Sequence, residues 1–84
     1  MKEKVIMGLS LIKRRDTADK VQELLTVYGC YINTRLGLHQ ASGEFCSEDG
    51  LIILQFLEGA REKARELEAA LKSVSGVQVQ MMIF

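Results

Sequence analysis

The sequence predicts an α+β sandwich, a four-stranded antiparallel sheet with two helices on one of its faces. Three observations lead there. Two apolar runs, residues 4–13 and 51–57, carry large side chains on both alternating sets, the mark of strands buried on both sides. Two segments, 18–28 and 60–74, repeat apolar residues at helical spacing. Two more, 31–39 and 77–84, alternate as half-exposed strands do.

In the first run Val5, Met7, Leu9 and Leu11 point one way, and Ile6 and Ile12 the other, with Gly8 and Ser10 between. Asp16 and Thr17 then offer side-chain oxygens to the free N–H groups of a helix start. Ala18, Val21, Leu24, Leu25 and Tyr28 follow on one helical face, and Gly29 is placed to close the helix in a left-handed conformation. In the next strand Ile32, Thr34, Leu36 and Leu38 are expected on one face, and Tyr31, Asn33, Arg35, Gly37 and His39 on the other. Residues 40–50 hold turn signals, Ser42-Gly43 and Ser47-Glu48-Asp49-Gly50.

Residues 51–57 predict a central strand, which Gly59 ends. Ala60, Ala64, Leu67, Leu71 and Val74 then form one stripe of an amphipathic helix. Its outer face offers the pairs Glu62–Arg65, Arg65–Glu68 and Glu68–Lys72. Ser75-Gly76 ends it, and residues 77–84 make the last strand. The order βαββαβ, with right-handed crossovers, is the split βαβ arrangement of ferredoxin-like domains.

At 84 residues the chain is read as a single domain over 1–84. A chain of this size buries only about 60–65% of the surface its unfolded form exposes. Such domains often gain stability by oligomerising. Cys30 and Cys46 form no CxxC motif, the usage expected of a reduced cytoplasmic protein. The apolar run near the N-terminus is far shorter than the ~20 residues of a membrane helix. Lys13-Arg14-Arg15 stands where a signal peptide would need small residues. The expectation is a cytoplasmic protein with no membrane partner.

Lys/Arg and Asp/Glu balance at 11 each. Residues 1–42 carry seven basic and four acidic groups, and residues 43–84 four and seven, so the halves attract each other. Nucleic-acid binders carry a basic excess or a dense basic face, and direct nucleic-acid binding by this chain alone is not expected.

Two helices cover one face of such a sheet, yet the central strands are apolar on both. An exposed apolar patch of this kind marks an interaction site. A homo-oligomer built through the sheet is therefore expected.

Candidate chemistry is sparse. Arg14 and Arg15 lead into the first helix, where free N–H groups and cationic side chains favour an anion. A solvated charged loop is the plainer reading. Arg35, in mid-strand, either guards an edge or reaches a carboxylate across an interface. These three arginines are the candidate ligand-binding residues. His39 and Cys46 could give two soft metal ligands on a hairpin, completed only by another subunit; the simpler reading is a strand-end histidine and an idle thiol. No nucleophile, base and orienting group come together in the sequence, so neither an enzyme nor a bound cofactor or resident metal is expected.

The run YGCYINTRLGL at residues 28–38 resembles a family of short bacterial proteins described as regulators of the iron-only hydrogenase system. The resemblance extends over most of the chain, through Tyr28-Gly29, Arg35-Leu36-Gly37, Leu51–Leu57 and Gly76-Val77. It implies an ACT-like ferredoxin fold, similar to the regulatory domain of nickel-responsive repressors, which oligomerises through its sheets and binds effectors near subunit interfaces. The implied role is a regulatory oligomer that takes a small-molecule effector or a protein partner. The nickel-type domain uses several histidines and a cysteine, and this chain has only His39 and Cys46 to offer. The loop after the first strand also lacks the glycine frequent in amino-acid-binding ACT domains. The alternative role is a metal- or redox-responsive module using His39 and Cys46 at a subunit interface.

Overall fold

The computed structural model describes residues 3–12, 15–38, 41–42, 45–46 and 49–84; at Ile12, Arg15, Leu38, Ala41, Ser42, Phe45, Cys46 and Asp49 it describes the backbone alone. The elements are β1 (Val5–Ile12), α1 (Arg15–Val27), β2 (Ile32–Leu38), β3 (Ala41–Ser42), β4 (Phe45–Cys46), β5 (Asp49–Phe56), α2 (Arg61–Lys72) and β6 (Val77–Ile83). Four strands form one antiparallel sheet in the order β2-β5-β1-β6, the ferredoxin-like arrangement.

The two faces follow from the register. Met7 stands opposite Leu54 and Met81, and Leu9 opposite Ile52 and Val79. These rungs face the helices, where Val5, Met7, Leu9, Leu11, Leu54 and Phe56 are buried. Helix α1 adds Val21 and Leu25, and α2 adds Ala64, Leu67 and Leu71. The α2 stripe is the one its spacing predicts, and its outer face forms Arg65–Glu68 at 3.4 Å and Glu68–Lys72 at 3.5 Å.

Four local expectations are corrected. Helix α1 begins at Arg15, so Asp16 and Thr17 lie inside its first turn and do not precede it. Thr17 is buried and its Oγ1 donates to the carbonyl of Ser75, 3.4 Å away, beyond the end of α2. Gly29 is not left-handed; the only described glycines with positive φ are Gly59 and Gly76. The end of α1 runs instead into a 3-10 turn, Gly29–Tyr31, with Tyr31 N–H donating to the Tyr28 carbonyl. The segment read as turns holds a short ladder, Ala41 opposite Cys46 and Ser42 opposite Phe45, and β5 starts at Asp49.

The fourth correction concerns β2. Ile32 pairs with Phe56 and Thr34 with Gln55, so two residue steps on β2 meet one on β5. This bulge at Asn33 puts Ile32 on the helix side, packed against the core, and sends Thr34 and Leu36 to the other side. Simple alternation had kept Ile32 and Leu36 together.

Candidate functional site

On the sheet face away from the helices three rungs span all four strands, between the Lys4–Phe84 pair at one end and the Ile12–Asp49 pair at the other. Across β2, β5, β1 and β6 they are Thr34–Gln55–Ile6–Met82, Leu36–Ile53–Gly8–Gln80 and Leu38–Leu51–Ser10–Gln78. No residue in these rungs carries a charge. Leu36 and Met82 stand 52% and 56% exposed, and Ile6 and Ile53 are half-buried. The face is thus an apolar surface set with neutral amides and hydroxyls, a composition suited to another neutral surface or to an uncharged ligand edge.

Gly8 lies at its centre. Its missing side chain leaves a hollow of about 220 Å³, lined by Gly8, Ser10, Leu51, Gln78 and Gln80. Neither backbone geometry nor packing within the chain requires a glycine here. Its φ is not positive. A Cβ would meet Ile53 Cδ1 at 3.8 Å and the Gln80 carbonyl oxygen at 4.0 Å, ordinary contact distances. A mid-strand glycine of this kind marks a place where something outside the strand approaches closely. The signal was present in the sequence as Gly8 between Met7 and Leu9, but only the register brings Gln78, Gln80 and Leu51 beside it.

The candidate arginines do not gather at this hollow. Arg14 lies outside the described residues, and Arg15 opens α1. Arg35 is exposed on the edge strand β2 opposite Leu54, the register of the helix-covered side. The end of β1 leading to α1 pairs at Asp49, five residue steps along β5 from Leu54 and so about 17 Å away. His39 lies outside the described residues, and Cys46 is placed only by its backbone in β4. Among the described residues there is no group of three or more His, Cys, Asp or Glu that could hold a metal ion.

A second cluster joins the 3-10 turn to α2. Tyr28 Oη donates to Glu66 Oε1 at 3.5 Å, and Lys63 Nζ lies 3.4 Å from Glu66 Oε2. The same ammonium sits 5.6 Å from the centre of the Tyr31 ring, within cation–π range. The hydrogen bond and negative charge of Glu66 raise the Lys63 amine above its ordinary value. Tyr28 thus links the end of α1 to α2.

No family model and no curated protein matches the chain. Solved structures match it in fold. An uncharacterized protein of Thermotoga maritima superposes with a TM-score of 0.81 at 24% identity, over 100% of this chain and 99% of that one. The ACT domain of the GTP pyrophosphokinase of Chlorobium tepidum gives 0.70 at 13% identity, over 98% and 100%. The nitrogen regulatory PII-like protein CPII of Thiomonas intermedia K12, bound to ADP, AMP and bicarbonate, gives 0.56 at 14% identity, over 98% and 92%. At these identities the likeness is one of architecture, and this chain has the ACT-like, ferredoxin-like fold. No helix among the described residues is long and apolar enough to cross a membrane.

Proposed function

We propose that the chain is a small regulatory module that oligomerises through its sheet and receives a small-molecule effector or protein partner on its open face. The carrying observation is the uncharged middle of the open face, with the Gly8 hollow at its centre. A glycine that neither backbone nor packing requires keeps that hollow open. The ACT-like architecture supports a regulatory module, and the resemblance through Tyr28-Gly29 and Arg35-Leu36-Gly37 favours a role in the iron-only hydrogenase system. The neutral lining favours ligands that offer an amide or heterocycle edge over ligands held by phosphate alone.

The test has two arms. Sedimentation at micromolar concentration reads the oligomer, and a monomer at every concentration removes that part. Thermal melts with amino acids and with adenine nucleotides read the effector, and Gly8→Val fills the hollow as the control. Ligand-dependent stabilisation in the parent, lost in Gly8→Val, supports the site. The hydrogenase assignment is tested in the host: unchanged hydrogenase activity in a strain lacking the gene removes it.

A further inference from the structure

The two edges of the sheet differ. Strand β2 carries two devices that discourage pairing, the bulge between Ile32 and Thr34 and the charged Arg35 in mid-strand. Strand β6 carries neither. Val77–Ile83 is seven residues long, VQVQMMI, with no charge, no proline and an unbroken register against β1. Among the described residues no strand pairs with its outer side.

The free groups of that edge can be identified. Lys4 and Phe84 exchange both backbone bonds, Phe84 N–H to the Lys4 carbonyl at 2.9 Å and Lys4 N–H to the Phe84 carbonyl at 3.5 Å. Antiparallel pairing alternates, so Met82, Gln80 and Gln78 also turn their groups towards β1. The N–H and C=O groups of Val77, Val79, Met81 and Ile83 therefore point outward. The Val77 N–H fits this phase, since it donates to the Val74 carbonyl at 3.3 Å and not to β1.

We propose that β6 is the seam of a two-fold homodimer, in which Val77–Ile83 of two copies pair antiparallel about Gln80 and join both sheets into one. The occupant is a second copy because the strand is its own complement. About Gln80, Val79 faces Met81 of the partner subunit and Val77 faces Ile83 of the partner subunit. Each is an outward-pointing residue meeting an outward-pointing residue, so Val79 and Met81 of the partner subunit exchange both bonds, while at the outer pair the Ile83 N–H donates to the carbonyl of Val77 of the partner subunit and the Val77 N–H stays with Val74. All of these side chains lie on the helix side, so apolar meets apolar and the half-buried Val77, Met81 and Ile83 gain cover. On the open side Gln80 faces its own copy, and Gln78 faces Met82 of the partner subunit. No like charges are opposed. Because the parity is kept, both helix layers lie on one side of the joined sheet, and both Gly8 hollows open on the other.

This inference rests on the reading that the chain oligomerises through its sheet, and the experiment separates the two. Amide hydrogen exchange is followed by NMR on the full chain across its association range. The N–H groups of Val79, Met81 and Ile83 are expected to slow at least tenfold as the oligomer forms, while the bonded Val77 N–H serves as reference. Gln80→Lys sets two ammonium groups face to face at the seam. It is expected to halve the sedimenting mass and restore fast exchange, with an unchanged circular dichroism spectrum. In a Cys30→Ser, Cys46→Ser background, Gln80→Cys is expected to give a disulfide-linked dimer and Ile53→Cys, at the centre of the open face, none. An oligomer whose three amides stay fast and whose Ile53→Cys variant cross-links overturns the seam and leaves oligomerisation standing. A monomer overturns both.

Discussion

The buried hydroxyl of Thr17, in the first turn of α1, donates to the carbonyl of Ser75, just beyond α2, across 58 positions of sequence. It fastens the start of one helix to the end of the other. Thr17→Val keeps the shape and removes the donor, while the exposed Ser75 can turn to water. The expected loss is about 0.5–1.5 kcal/mol, and Thr17→Ser should lose less. Urea denaturation of the three proteins measures it; equal midpoints for Thr17→Val and the parent would show that the bond contributes nothing.

Leu67 is fully buried at the middle of the α2 stripe, between Ala64 and Leu71. Leu67→Ala should cost about 2–5 kcal/mol through lost transfer energy and the cavity left behind. Glu66, one position away, is exposed, so Glu66→Ala should change the melting temperature little. The reverse order in thermal melts would contradict the face assigned to α2.

Gly8→Ala separates stability from binding. The added methyl makes ordinary contacts, and replacing glycine at a compatible φ stabilises by about 0.4–1 kcal/mol. It also narrows the hollow. The expected outcome is a higher melting temperature with a weaker response to any effector. A lower melting temperature would mean that the strand needs the glycine for itself.

The Lys63 amine is raised above its ordinary value of 10.5, first by its hydrogen bond to Glu66 and then by that carboxylate's charge. A raised pKa in the folded state favours folding below the unfolded pKa, and that contribution is lost as pH rises through the folded value. Stability should therefore be flat in this group at neutral pH and fall slightly above about 10.5. The pair is exposed, so the slope is small. Lys63→Gln should remove that part of the alkaline slope in melts from pH 9 to 12; an unchanged slope would show that the pair is not formed in solution.

The fold was legible because hydrophobic periodicity is local. The stripe Ala64, Leu67, Leu71 and the set Val5, Met7, Leu9, Leu11 are buried as their spacing predicts. The two open glycine-led turns at Gly59 and Gly76 were legible for the same reason, since each adopts positive φ. The bulge was not, because nothing in Ile32-Asn33-Thr34 announces that Asn33 is the extra residue; that depends on how β5 pairs. Thr17 was misread because a threonine before a helical stripe looks like a cap, and its true acceptor is distant in sequence. The site was the least legible part. Arg14, Arg15 and Arg35 stand out by charge, whereas the hollow depends on Gly8, Gln78 and Gln80 meeting across two strands.

The bulge also sets which length changes this sheet can absorb. Without Asn33, Ile32 would still pair with Phe56 and Thr34 with Gln55, and every remaining residue of β2 would keep its face. Removing Leu36 instead would invert the residues on one side of the gap and carry either Thr34 or Leu38 away from the open face. Asn33 is therefore a spare position in an otherwise fixed count. Relatives one residue shorter in this strand should have lost it there, and a chain lacking Asn33 should fold with a regular β2 edge guarded by Arg35 alone.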